Sequence, residues 1–232
     1  MVKKIGLTNN QLKIIAMVAM LFDHVGKVLF PQYLILQVIG RLAFPIFAFM
    51  IAEGCFYTRN KTRYFLTIFL LGVGCQAVYL IWEKSLYMNI LLTFSLSIIL
   101  IFSFENYRKK REKKSGLFFL FSVIAVFTIT VILPVALIEK GFVIDYGVEG
   151  VLLPVAIYYA PDKLRKLLYA SGLLILLSLD LAGGIQWFSL LAVPLLALYN
   201  QKRGKYNIKP LFYIFYPAHL VVIYLISIIF NN

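Results

Sequence analysis

Apolar residues run along this chain in blocks about as long as a bilayer crossing, and short stretches rich in lysine and arginine divide them. The blocks are continuous and lack the period-2 alternation of a barrel strand, so they predict helices. In hydrocarbon each helix satisfies its own backbone groups. About nine spans are predicted, at residues 10–30, 34–57, 63–83, 88–105, 116–138, 147–160, 166–182, 185–200 and 210–230. The sixth, EGVLLPVAIYYAP, is short enough to be tilted or re-entrant, and Pro194 is placed to bend the short eighth. The expected fold class is all-α, a polytopic membrane helical bundle forming a single domain over residues 1–232.

Composition agrees, with 62% hydrophobic residues and a mean hydropathy of +0.87. The net charge of +13 sharpens the topology. Basic clusters stand at Lys3-Lys4, Arg59-Lys61-Arg63, residues 108–114, Lys163-Arg165-Lys166 and Lys202-Arg203-Lys205-Lys209. With nine spans and a cytoplasmic N-terminus, all of them fall on the cytoplasmic face and the C-terminus is external. The opposite loops hold Lys84 and Lys140, with Lys27 near an end. Topology and anionic lipid headgroups account for such a face, which also suits the phosphates of a cytosolic cosubstrate. Nucleic-acid binding is set aside, because the charges sit in short loops and form no reading module. Cys55 and Cys75 are expected at different depths on neighbouring spans, which argues against a disulfide or metal pair. The basic start MVKKIG has no small-residue cleavage site before Asp23 and is read as part of the mature chain.

The informative positions are those that stay polar inside the membrane, where an ionisable side chain costs on the order of 3 kcal/mol. In MLFDHVGK, Asp23 and His24 lie near the outer end of the first span, and Arg41 lies a short way into the second. Residue counting puts both sites about 10 Å below the outer surface, within reach of each other across an antiparallel pair. Adjacent helical residues point about 100° apart, so one of Asp23 and His24 pairs with Arg41 and the other faces a cavity. If Asp23 takes Arg41, His24 is left as an acid-base group. The plain alternative is a helix-helix clamp.

Pro45 cannot donate to the carbonyl of Arg41 and is expected to kink the second span where the arginine emerges. The second histidine, in FYPAHL, follows Pro217, which frees the carbonyl of Tyr213. Counting places His219 about 13 Å from the cytoplasmic end of its helix, nearer mid-membrane than His24. Glu53 reads as an ion-pair partner near the cytoplasmic end, close to Arg59 and Arg63. Arg59, Lys61 and Arg63 are the candidate phosphate grips, since guanidinium forks match phosphate oxygens. Gln76, Asp145, Glu149, Asp180 and Gln186 are further polar positions on or near the outer half.

The segments LKIIAMVAMLFDHVG and IGRLAFPIFAFMIAEGCFYTRN, with the closing YPAHL, resemble the TraX family of integral-membrane proteins. The likeness is strongest over residues 11–80 and includes Asp23-His24, Gly40-Arg41, Pro45 and Glu53-Gly54. The closing Tyr-Pro-x-His-Leu segment also resembles that of larger membrane acyltransferases that acetylate polysaccharides. The resemblance implies acetyl transfer from acetyl-CoA to an amine or hydroxyl at or beyond a bacterial plasma membrane, as in N-acetylation of pilin. The acceptor is then a pilin N-terminus or another cell-surface molecule, and no metal is expected. On this reading His24 is the general base, Asp23 orients or charge-pairs, and His219 is a second site member. Arg41, Tyr216 or the other histidine would supply donors to the oxyanion. Tyr216, Glu53, Arg59, Lys61 and Arg63 would stand toward the cosubstrate. A proton-coupled transporter and a non-catalytic scaffold for surface structures are the alternatives from other classes.

Overall fold

Four of the long helices start where a short polar side chain can take up their unpaired amides. The computed structural model describes residues 6–181 and 184–231, so Lys3-Lys4 lies outside the described residues. Thr8 opens α1 (Asn9–Val28) with a capping box: its hydroxyl accepts from the Gln11 amide at 3.3 Å, and its own amide donates to the Gln11 side chain at 2.8 Å. After α2 (Leu34–Gly40) and α3 (Ala43–Tyr57), Asn60 caps α4 (Lys61–Trp82). A two-residue strand β1 (Tyr87–Met88) precedes α5 (Ile90–Lys110), which Asn89 caps. α6 (Lys113–Phe127) runs through a π-helical turn, Thr128–Ile132, into α7 (Leu133–Ala136). Then come β2 (Val143–Ile144), parallel to β1, and α8 (Gly147–Tyr159). Asp162 caps α9 (Lys163–Asp180). A 3-10 helix, Ile185–Leu191, leads into α10 (Ala192–Ala197), and α11 (Lys209–Asn231) follows.

The chain is thus nearly all helical, and each predicted span corresponds to helical structure. Among the described residues five helices are long and apolar enough to cross a membrane: 34–57, 61–82, 90–110, 113–136 and 210–230. Two departures from regular spans have physical causes. The second span breaks at Arg41–Leu42, between α2 and α3, just ahead of Pro45. The eighth is mostly 3-10 helix and only briefly α-helical, with Pro194 within α10.

The helices form two compact units, one of residues up to Met50 together with Ala160 onward, the other Ile51–Tyr159. In the first, α1 buries Leu12, Ala16, Ala19, Met20, Asp23 and Gly26, a stripe at helical spacing that carries an acid along with its apolar residues. α1 packs on α2 and on α11, and α9, α10 and the 3-10 segment pack together. The loop before α11 holds the start of α1: the amides of Asn9 and Asn10 donate to the carbonyls of Lys202 and Arg203, at 2.8 and 3.1 Å. Lys163 at the start of α9 donates to Tyr199 of the same loop at 3.1 Å. The basic loops around Lys163 and Lys202–Arg203 therefore lie at one end of this unit.

In the second unit α5 is central, with Leu91, Phe94, Ile98 and Ile101 buried and small polar residues between them. Ser97 Oγ donates to the Val151 carbonyl at 2.8 Å, a short-side-chain contact suited to close helix packing. Gln76 and Asn89 are both buried and mutually bonded, and Asn89 Nδ2 reaches the Gly72 carbonyl at 2.8 Å. Tyr87 donates its hydroxyl to Asp145, and burial together with that carboxylate pushes the phenol up, so it stays protonated and donating. At the other end Lys61 and Lys109 hold Glu105, at 2.5 and 2.6 Å.

Candidate functional site

Glycine sets the approach of α1 and α2. A Cβ on Gly26 would stand 2.8 Å from Leu36 Cβ, and one on Gly40 would run into the side chain and backbone of Asp23. Only hydrogen at these positions lets the helices close to the distance that brings Arg41 onto Asp23. Arg41 Nη2 donates to Asp23 Oδ1, and Lys27 Nζ holds Asp23 Oδ2 at 2.6 Å. The two paired side chains of Arg41 and Asp23 are only 13% and 11% exposed, as a charge pair in an apolar helix bundle requires. Arg41 also donates to the Gln37 carbonyl and to Gln186 Oε1, both at 3.4 Å.

His24, one step around the helix from Asp23, meets α11 instead. Its Nδ1 lies 2.9 Å from the Met20 carbonyl and 3.3 Å from His219 Nε2. His219 Nδ1 in turn lies 2.9 Å from the Phe215 carbonyl. A carbonyl only accepts, so each Nδ1 carries a hydrogen. In neutral rings both Nε2 atoms are then lone-pair nitrogens. His24 Nδ1–H is shared between Met20 and His219, and His24 Nε2 is its basic atom. The imidazole rings are edge-on with centroids 5.0 Å apart. Phe215 stacks on His219 at 5.0 Å, and Tyr216 stands edge-on to it at 5.7 Å.

Asp23 pairs with Arg41 as expected, whereas His24, expected to face a cavity, packs against His219 of α11. Two details are corrected. Residue counting separated the histidines in depth, whereas the rings touch. Tyr216 belongs beside His219 and not with the basic loop residues.

Glu53, Arg59, Lys61 and Arg63 belong to the second unit. Arg59 and Arg63 are exposed. Lys61 is taken up by Glu105 and lies over Phe102 at 4.9 Å, which gives it a structural occupation. Glu53 is buried, at 6% exposure, rather than at an exposed helix end. Of the outer-half polar residues, Gln76 and Asp145 are built into the second unit and Asp180 is exposed. Glu149 sits in the first turn of α8. Gln186 joins the Asp23–Arg41 group, which a lone amide in a short apolar segment does not announce.

This geometry defines an integral-membrane protein with a buried charge pair and a histidine pair on neighbouring helices. The chain belongs to the TraX protein family, which it matches over residues 8–227. It is 26% identical over 254 residues to a probable fimbrial assembly protein FimC, serogroup H1, of Dichelobacter nodosus, covering 96% of this chain and 97% of that one. It is 38% identical over 103 residues to an uncharacterized protein of Rickettsia prowazekii, a match spanning 43% of this chain and 39% of that protein. No solved structure matches.

Proposed function

We propose that this TraX-family protein is a membrane-embedded acetyltransferase that moves an acetyl group from cytosolic acetyl-CoA to an amine or hydroxyl acceptor. The observation that carries the reading is the contact of His24 Nδ1 with the Met20 carbonyl and His219 Nε2, because a hydrogen on Nδ1 leaves Nε2 as the lone-pair nitrogen assigned here as the base. An acceptor amine loses its proton to His24 Nε2 as its nitrogen attacks the thioester carbonyl carbon. The new imidazolium keeps Nδ1–H on Met20 and on the His219 lone pair. Collapse of the tetrahedral intermediate breaks the carbon–sulfur bond, and the proton on His24 passes to the departing thiolate. The products are acetylated acceptor and CoA. His219 acts through His24, so it is a positioning residue, and Asp23 with Arg41 and Lys27 holds the outer part of α1 against α2.

The name of the Dichelobacter relative supports a pilus or other surface protein as the acceptor's class. The basic clusters along the sequence support a cytoplasmic face that meets the phosphates of CoA, with exposed Arg59 and Arg63 as its grips. The nine-span arrangement, with N-terminus inside and C-terminus outside a bacterial plasma membrane, belongs to the same proposal. Purified protein in lipid nanodiscs, given radiolabelled acetyl-CoA and a pilin N-terminal peptide, is expected to release CoA thiol and label the peptide. Uptake of a solute by proteoliposomes without thiol release would replace the reading with transport.

A further inference from the structure

The 3-10 segment after α9 carries two buried donor groups, Gln186 Nε2 and Ser189 Oγ, that neither the charge pair nor the histidine pair uses. Gln186 is 5% exposed and Ser189 is 0% exposed. Gln186 Nε2 and Ser189 Oγ have no hydrogen-bond partner among the described residues, although native buried polar groups are almost always paired. Three residues apart in a helix of three residues per turn, they stand on one edge of the segment, about 6 Å apart along its axis. The orientation of the amide follows from chemistry. Arg41 Nη1 lies 3.4 Å from Gln186 Oε1, and a guanidinium only donates, so the amide oxygen faces Arg41 and the NH2 is turned away from it. Arg41 is in turn held by Asp23, the residue before His24.

We propose that Gln186 Nε2 and Ser189 Oγ form a two-donor clamp for the carbonyl oxygen of a bound acyl thioester, an inference that rests on the acyl-transfer reading above. Two neutral donors suit a neutral carbonyl better than a phosphate, which calls for cations. When the acceptor attacks the carbonyl carbon, the C=O electron pair moves onto this oxygen, and the two donors meet the charge as it develops. Behind the amide, Asp23 with Arg41 and Lys27 forms a group with one more cation than anion, which adds a field of the right sign. When the carbon–sulfur bond breaks, the pair returns to the C=O bond and the oxygen leaves the clamp neutral. The buried donors therefore cost stability in the resting protein and are used in the transition state.

The test compares wild type with Gln186→Ala and Ser189→Ala, each as full-length protein in nanodiscs, by thiol-release kinetics with acetyl-CoA, CoA binding and melting temperature. Each variant is expected to lose kcat on the order of 10²-fold, as removal of one oxyanion donor does, with CoA affinity unchanged. Ser189→Ala is expected to melt no lower than wild type, because it removes an unpaired hydroxyl. Wild-type kcat in both variants would overturn the clamp alone, as would a loss of activity matched by a fall in melting temperature. A cooperatively folded wild type that turns over no acetyl-CoA would overturn the acyl-transfer reading and the clamp with it.

Discussion

Asp23 and His24 do different work although they are adjacent on α1: Asp23 holds Arg41, and His24 meets His219. In the proposed acyl transfer His24 Nε2 is the base, so His24→Ala is expected to lower acceptor-dependent transfer by roughly 10²–10⁴-fold without unfolding the protein. His219→Ala is expected to lose less, and His219→Gln, whose side-chain oxygen also accepts, to recover part of that loss. Progress of the transfer reaction at saturating acetyl-CoA checks both. Arg41→Ala leaves Asp23 with Lys27 only, a partner whose side chain is 47% exposed. It is expected to destabilise the protein by about 3–5 kcal/mol, the cost of breaking a buried ion pair from one side, as read by unfolding in detergent. The Asp23–Arg41 pair was legible from the residues, because a charge in an apolar helix needs a partner and only a few are available. Gln186 and Ser189 were not, because an uncharged side chain in a short apolar segment looks the same whether it packs, binds or catalyses.

At the scale of elements, the glycines decide which helices touch. Gly40→Ala inserts a methyl into Asp23, and a forced separation of α1 from α2 is expected to cost about 1–3 kcal/mol and to loosen Arg41 from Asp23. Activity and stability are therefore expected to fall together in that variant, unlike in His24→Ala. In the second unit, Asn89 both caps α5 and ties α4 to it through Gly72 and Gln76. Asn89→Ala strips a cap and leaves a buried amide unpaired, for an expected loss of about 2 kcal/mol in denaturant unfolding. Helical segments were readable as apolar blocks to within a few residues, and five of them are long and apolar enough to cross a membrane among the described residues. The break at Arg41–Leu42 was readable as well, since Pro45 denies the Arg41 carbonyl its helical donor. What block length and hydropathy do not convey is depth, because helices begin at different heights: α1 starts against the loop that precedes α11, so rings separated by residue counting come into contact.

For the molecule as a whole, the basic loops of each unit gather at one end of that unit, as charge topology requires of loops on one side of a bilayer. Single cysteines placed in residues 108–114 and 201–206 are expected to react with a membrane-impermeant thiol reagent only from the cytoplasmic side, and one after Phe230 only from outside. The same-side result for all three would contradict the odd span count. The proposed acyl transfer turns on the histidine pair. The most direct measurement is CoA thiol release from acetyl-CoA, with and without an acceptor peptide, by wild type, His24→Ala and His219→Gln reconstituted side by side. Acceptor-dependent release that His24→Ala abolishes and His219→Gln partly keeps is the predicted result. Release that survives His24→Ala unchanged in a folded protein would contradict the account.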